Sequence, residues 1–320
     1  MMDILICLNE NYLMPSEVML YSLFQNNKNI TVTVHAMVPD VGDYVLDLKN
    51  FVEEHGQRIF IYDMSKVALP IIPSHSNNKT SYPLEAYYRL FVTEVIPHDI
   101  HKVLYLDGDI IVRGGLSELW NTDVTGYAVA AGLSRYNDDI KLIKKLGFDP
   151  KYGYFNSGVL LINLDYWREN QVVNLFVNYI KNNMDNLRFA DQDVLNPVFC
   201  DKRLELSIRY NFCTTFLLND RFRMIASKSI IEEIDKWCKK PCVIHYNSAD
   251  KPWNSDSLNI HRKIWRKYRD ETKWRDYIVK KDGPSFKEKI LRAISCLKHG
   301  VTSYTFVRYN KKYQLNEGNS

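Results

Sequence analysis

Asp-Ile-Leu-Ile-Cys-Leu, residues 3–8, opens the chain as an apolar run of strand length, and the alternation it begins decides the fold. Pro15 and Ser16 open a helix running to about Gln25, and Ile30 to Val38 is a second β-rich run. Tyr44 to Gly56 carries apolar residues at helical spacing, and Arg58 to Tyr62 reads as a third strand. Short β runs alternating with helices predict an α/β domain with a parallel or mixed sheet covered by helices, its ligands bound beyond the C-terminal ends of the strands. Asn9, Asn11 and Tyr12, just past the first strand, fall at that edge.

Further along, 70–80 is polar and reads as a surface loop, and Leu84 to Val95 as a helix. Then comes Lys-Val-Leu-Tyr-Leu-Asp-Gly-Asp-Ile-Ile-Val, residues 102–112, which sets Asp107 and Asp109 between two apolar runs. Isolated charges are not left in apolar surroundings without a partner, so two acids one residue apart at a strand's end imply a bound cation or a strongly polarised ligand. The plainer alternative is an acidic turn that ends the strand, with Gly108 supplying the bend. A strand at Ala128 to Gly132, a basic helix near Asp138 to Leu146, the segment Tyr154 to Asn163 and a helix at Val172 to Ile180 come next. Asp191-Gln192-Asp193 opens another short helix, where the acids also suit an N-cap and first turn. His245 ends the run Val243-Ile244. Two carboxylates and an imidazole suit a hard or borderline divalent ion such as Mn²⁺, with Mg²⁺ as the alternative. Lys251, six residues on, is a candidate partner for a phosphate, with Pro252-Trp253 fixing its loop.

The whole chain of 320 residues is 46% apolar, enough for one large α/β domain or two ordinary ones. Its 13% aromatic content suits both a core and a ring-lined binding surface. No run approaches a spanning helix and the N-terminus enters a strand directly, so the expected location is the cytoplasm. The six cysteines are scattered, as reduced thiols in a core would be. Cys238, Cys242 and His245 form a C-x3-C-x2-H cluster without an evident fourth ligand, and the two thiols read as core.

The net charge of +4 is unevenly placed. Residues 258–320 carry 16 Lys and Arg against 6 Asp and Glu, leaving the rest of the chain acidic. Phe286, Ile290, Leu291, Ile294 and Leu297 recur at helical spacing beside Lys287, Lys289, Arg292 and Lys298. Such a segment is either a basic helix packed on the body or a surface for anionic lipid or a partner protein. No nucleic-acid module accompanies the charge, so nucleic acid is not the expected partner. The expected division is a catalytic domain over 1–257 and a mainly helical basic extension over 258–320.

Five separated motifs agree in order with one family. These are Asn9 to Tyr12, Tyr87-Tyr88-Arg89-Leu90, Asp107-Gly108-Asp109, Asn156-Ser157-Gly158 with Asp191-Gln192-Asp193, and His245 to Trp253. Over roughly Asp3 to Trp253 the chain resembles the family 8 retaining glycosyltransferases of the GT-A fold, similar to bacterial lipopolysaccharide α-galactosyl- and α-glucosyltransferases. The resemblance implies a UDP-sugar donor and a glycan acceptor, Mn²⁺ held by Asp107, Asp109 and His245, and Lys251 assisting at the diphosphate. It places Asn9, Asn11 and Tyr12 on uridine, and Arg89, Asn156, Asp191 and Gln192 around the donor sugar, with Gly108, Ser157 and Ser248 also in the donor site. Asn9 stands where relatives often have Asp, and Ser248 where some have Gly.

An anomeric carbon that becomes oxocarbenium-like needs a dipole or carboxylate on one face. Gln192 is the candidate, with front-side attack as the mechanism, and double displacement through Asp191 or Asp193 as its rival. In such a location the basic extension would meet the inner face of the plasma membrane or a partner glycosyltransferase. A haloacid-dehalogenase-like phosphatase also ends a strand in Asp-x-Asp, yet Ile111 stands where such enzymes want Thr or Val. A nicotinamide dehydrogenase would need a Gly-x-Gly-x-x-Gly after the first strand, and none is there. A sugar-binding or scaffolding homologue without activity would usually lack a metal ligand, and all three are present.

Overall fold

The computed structural model describes residues 1–69, 82–217, 226–257 and 261–277, together with 222, 259 and 279. The loop expected at 70–80 and the apolar and basic positions from Phe286 to Lys298 lie outside them. Strands β1 (Met2–Cys7), β2 (Val32–Val38), β3 (Arg58–Asp63), β4 (Lys102–Leu106), β6 (Val129–Leu133), β7 (Phe155–Asn163) and β8 (Arg203–Leu206) form one sheet in the order β3-β2-β1-β4-β7-β6-β8. β1 to β4 run parallel, and β7 is antiparallel to both β4 and β6, so the sheet is mixed as expected. Helices α1 (Leu13–Asn26) and α2 (Asp43–Glu54) cover it where the alternating pattern placed them.

The central strands are buried on both faces, which is why they read as continuous apolar runs. Their side chains alternate between two cores. Ile4, Ile6, Leu104, Leu106, Val159 and Leu161 share one with α1 and α2. Leu5, Val103, Tyr105, Leu160 and Ile162 share the other with Trp167 and Phe176.

The chain does not continue β4 after the acidic turn. β5 (Ile110–Val112) leaves the main sheet to form a second one with β10 (Val243–His245) and β9 (Phe212–Cys213), in the order β5-β10-β9. The antiparallel pairing sets His245 opposite Ile110, so the histidine arrives beside the Asp-Gly-Asp turn from 135 positions away in sequence.

The helix expected over Leu84 to Val95 is a short α3 (Glu85–Tyr88) followed by a 3₁₀ turn (Arg89–Glu94) kinked at Phe91, with φ −110° and ψ 18°. Tyr87 through Val92 are all buried.

The start of the basic segment packs onto the body. Its helix Arg262–Arg269 seats Trp265, fully buried, among Met14, Val18, Ile111, Ile244, Tyr246 and Trp253. Glu17, buried in α1, accepts from Trp274 Nε1 at 2.6 Å and pairs with Lys273 Nζ at 3.2 Å. Among the described residues no helix is long and apolar enough to cross a membrane.

Candidate active site

The parallel strands end on a cavity of about 320 Å³ whose wall includes Asn9, Tyr12, Arg89, Asp107, Gly108, Asp109, Asn156, Ser157, Asp191, Gln192, His245 and Lys251. Twelve of the residues singled out in the sequence thus meet in one place. Asn11, which is exposed, Ser248 and Asp193 do not line it.

Local structure explains each placement. Gly108 sits against the start of α1, where a Cβ would stand 2.7 Å from Ser16 Oγ and 3.1 Å from Tyr12 Cδ1. Glycine is therefore demanded at the acidic turn by close approach rather than by a left-handed bend, since Gly108 is not among the positive-φ glycines. Asp107 N–H donates to Gly158 O at 2.9 Å, and Tyr246 N–H to Asp109 O at 2.9 Å, so the turn is tied to β7 and to the end of β10.

Asp107, Asp109 and His245 offer ligand atoms that all lie within 4.8 Å of one another. His245 Nε2 is 3.2 Å from Asp109 Oδ1 and 3.5 Å from Asp107 Oδ2, while its Nδ1 lies 2.9 Å from Asn211 Oδ1. The opposite oxygen of Asp107 is held by Tyr105 Oη at 2.6 Å and Arg89 Nη1 at 3.1 Å, which leaves Oδ2 turned toward the histidine. Lys251 Nζ donates to Asp109 Oδ2 and, at 2.9 Å, to the carbonyl of Tyr246. Burial alone would raise the Asp109 carboxyl, but Lys251 and then His245 outweigh it and hold the acid well below the usual carboxylate range. Burial likewise opposes the charged His245, yet Asp109 raises it to about 10.

These residues fit a divalent cation. Two carboxylate oxygens and one imidazole nitrogen converge, and the second nitrogen of the ring is held by an outer partner, as metal-ligating histidines are. Gly158 leaves the space for it, because a Cβ there would collide with the His245 ring and stand 2.7 Å from Asp107 Oδ2.

On the other side of the cavity, Arg89 is buried, lies 3.9 Å from the Tyr105 ring centre and donates to Ser157 O at 3.0 Å. It pairs with Asp191 at 3.4 Å, out of hydrogen-bond alignment, so that Arg89 Nε and Asp191 Oδ2 are buried without a hydrogen-bond partner, as is Asn9 Oδ1. Three such atoms in one wall suit a ligand rich in hydroxyls and amides, since unmatched buried polar groups are costly. Burial raises the Asp191 carboxyl to about 7 against the opposing pull of Arg89. Gln192 Oε1 accepts from Asn156 Nδ2 at 2.9 Å and from Ser157 N at 3.1 Å.

Asp193 has a different task. It accepts from the Tyr154 hydroxyl, from Arg188 N and, at 2.7 Å, from Phe189 N, so it clamps the turn that delivers Asp191 and Gln192. Within that turn Ala190 takes φ 48°, a left-handed conformation that costs a non-glycine residue about 1–2 kcal/mol.

Reading the sequence missed several residues of the site. Among them are Tyr105, Asn211 and Glu85, which accepts from Asn9 Nδ2 at 2.9 Å. Tyr82, Ser134, Arg135, Tyr136 and Phe189 line the cavity from loops that carry no motif. Cys238 packs with Ile208, Phe216 and Ile234 as a core thiol, and the thiol beside His245 is Cys213, at 3.8 Å from its Nδ1.

The family model described as glycosyl transferase family 8 matches residues 3–257. The chain belongs to that family. GlyF of Streptococcus pneumoniae serotype 4 is 34% identical over 185 residues, 58% of this chain and 42% of GlyF, so the match spans less than half of that relative. A lipopolysaccharide 1,2-glucosyltransferase of Escherichia coli K12 is 23% identical over 301 residues, 93% of this chain and 84% of the relative. Among solved structures, galactosyltransferase LgtC in complex with donor and acceptor sugar analogs aligns with a TM-score of 0.73 at 24% identity, over 87% of this chain and 100% of LgtC. The fold is GT-A, and the family 8 glycosyltransferase reading replaces the phosphatase and dehydrogenase alternatives.

Proposed function

We propose that this glycosyltransferase moves a galactose or glucose, with retention, from a UDP-sugar to a glycan acceptor on a lipid, protein or polymer. The observation that carries the reading is the single cavity wall shared by three groups. Asp107, Asp109, His245 and Lys251 form one, Asn9 and Tyr12 a second, and Arg89, Asn156, Asp191 and Gln192 a third.

On this reading the uridine lies against Asn9 and Tyr12, with Asn11 at the rim, and the diphosphate meets Gly108, Lys251 and the metal ligands, with Ser248 nearby. The donor sugar sits among Arg89, Asn156, Ser157, Asp191 and Gln192. A divalent ion on Asp107, Asp109 and His245, with Mn²⁺ the best match to the mixed donor set, would stabilise the charge that develops on the diphosphate as the glycosidic bond breaks. Lys251 stays protonated, because Asp109 outweighs the cost of its burial, and adds a second positive charge on the same side.

Gln192 presents a carboxamide whose oxygen already accepts two hydrogen bonds, which suits it to orienting the sugar rather than attacking it. Asp193 is enclosed by its own clamp, which leaves Asp191 as the rival nucleophile. Front-side attack is therefore the preferred route. The acceptor oxygen bonds to the anomeric carbon on the face from which the phosphate oxygen departs, and a phosphate oxygen of the donor takes the hydroxyl proton.

The likeness to a lipopolysaccharide 1,2-glucosyltransferase over most of the chain supports a lipid-linked glycan as acceptor. It also gives the basic extension a use at the inner face of the plasma membrane, with the catalytic unit over 1–257 on the cytoplasmic side. The test is UDP release from UDP-galactose, UDP-glucose and their N-acetyl forms, with Mn²⁺ or chelator, for wild type and Asp109→Asn. Slow release from one donor, lost with chelator and in the variant, is expected. Chelator-resistant release by both proteins would refute the metal-dependent reading.

A further inference from the structure

Two backbone N–H groups fix the direction of a chain of buried amides. Ser157 N donates to Gln192 Oε1 at 3.1 Å and Gly158 N donates to Asn156 Oδ1 at 3.0 Å. A backbone N–H cannot accept, so both side-chain oxygens are identified. The nitrogen of Asn156 must then face Gln192, and it does, at 2.9 Å. Asn156 Oδ1, already an acceptor, receives a second bond from Asn211 Nδ2 at 2.8 Å. Asn211 has no freedom left. Its oxygen must face the other way, where His245 Nδ1 stands at 2.9 Å and Cys213 Sγ at 3.7 Å. His245 Nδ1 therefore donates to Asn211 Oδ1, and Nε2 is the nitrogen turned toward Asp107 and Asp109.

We propose that Asn211 is a positioning residue that sets the ligating nitrogen of His245 and braces Asn156, and through it the donor-facing amide of Gln192, whose direction the backbone fixes, in one hydrogen-bonded relay, Gln192–Asn156–Asn211–His245. The inference rests on the proposed metal-dependent transfer. Asn211 is fully buried, does not line the cavity and is the one member of the relay bonded to both halves. It therefore acts through its neighbours. Its place is fixed by the fold, since it directly precedes β9, the strand that pairs with β10 and so with His245.

Two variants separate this role from general packing. Asn211→Asp keeps an acceptor for His245 Nδ1 but has no donor for Asn156. Asn211→Leu keeps the approximate volume and removes both. Mn²⁺ affinity is read by calorimetry and by the electron paramagnetic resonance of free Mn²⁺, with and without UDP, and turnover by UDP release from UDP-galactose and UDP-glucose. Asn211→Asp is expected to hold Mn²⁺ within about threefold of wild type while turnover falls at least about tenfold. Asn211→Leu is expected to lose about 10–100-fold in Mn²⁺ affinity as well, the range typical for outer partners of metal ligands.

If the two variants change Mn²⁺ affinity alike, or if Asn211→Asp turns over as wild type does, the inference is overturned. Should Asn211→Leu not fold, the split between retained Mn²⁺ affinity and lost turnover in Asn211→Asp decides alone. A wild-type protein that binds neither Mn²⁺ nor UDP would instead refute the proposed function, and this inference with it.

Discussion

Gly158 shows how narrowly the cation site is built. Its missing side chain is the space in which the His245 ring and Asp107 Oδ2 approach each other across β7. Gly158→Ala should lower Mn²⁺ affinity at least about tenfold, measured by titration, while the overpacked strand loses about 1–3 kcal/mol of stability. Unchanged Mn²⁺ affinity would show that the triad does not bind the ion in this arrangement. Asp191 supplies a pH signature. Its folded-state acid is raised by burial to about 7 from an ordinary value of 3.8, so the folded protein holds a proton that the unfolded chain has released. Its contribution to stability is fully present below about pH 4 and is lost as the pH rises through about 7. Asn has no proton to lose, so Asp191→Asn should melt several degrees above wild type at pH 8 and close to it at pH 4, with transfer lost at both. Equal melting temperatures at pH 8 would remove the buried-acid account. At this scale the sequence disclosed the metal-site charges, because Asp107 and Asp109 interrupt apolar runs, His245 ends one and Lys251 follows it by six residues in the same loop. Asn211 and Tyr105 stayed hidden: they act through geometry that only strand pairing creates, and a lone Asn or Tyr has no spacing to betray it.

The helix Arg262–Arg269 carries five basic residues, and its Ile264, Trp265 and Tyr268 belong to the core cluster that also holds Met14, Val18, Ile111, Ile244, Tyr246 and Trp253. A chain ending at 257 would uncover that cluster and leave Glu17 buried without Trp274 and Lys273. It should unfold or aggregate at a temperature where a chain ending at 280 remains folded, as read by calorimetry. Trp265→Ala in the full chain should cost about 3–5 kcal/mol in denaturant melts. A 257-residue chain as stable as the longer one would show that this packing contributes nothing. The elements easiest to read were β1 to β3 with α1 and α2, where period and length agree. The harder ones were those whose form is imposed by distant partners. The 3₁₀ turn Arg89–Glu94 is kinked at Phe91 within the core it shares with Tyr105 and Trp167, and β5 parts from β4 because β10 is there to pair with it.

Across the whole molecule, charge divides the chain into an acidic body and a basic end, and the structure shows where part of that positive charge goes. Arg266 donates to Pro252 O and Asn254 O and ties the basic end to the body, while Arg262, donating to Asn259 O, and Arg269, donating to Tyr277 O, brace the basic end itself. Half of the excess lies in residues 281–320, with eight Lys and Arg against three Asp and Glu, interleaved with Phe286, Ile290, Leu291, Ile294 and Leu297. Near an anionic leaflet each Lys or Arg contributes about 1 kcal/mol, and the interleaved apolar residues add burial that neutral lipid would also reward. Removal of residues from 283 onward should therefore weaken binding to vesicles rich in anionic lipid and leave UDP affinity as it was. For the full chain, raising ionic strength from 0.1 M to 1 M shortens the screening length from about 10 Å to about 3 Å and should weaken the same binding. Equal vesicle binding by the full and shortened chains would defeat the attachment role. Salt-independent binding that is equal on neutral and anionic vesicles would assign the interaction to the apolar positions and remove charge from the account.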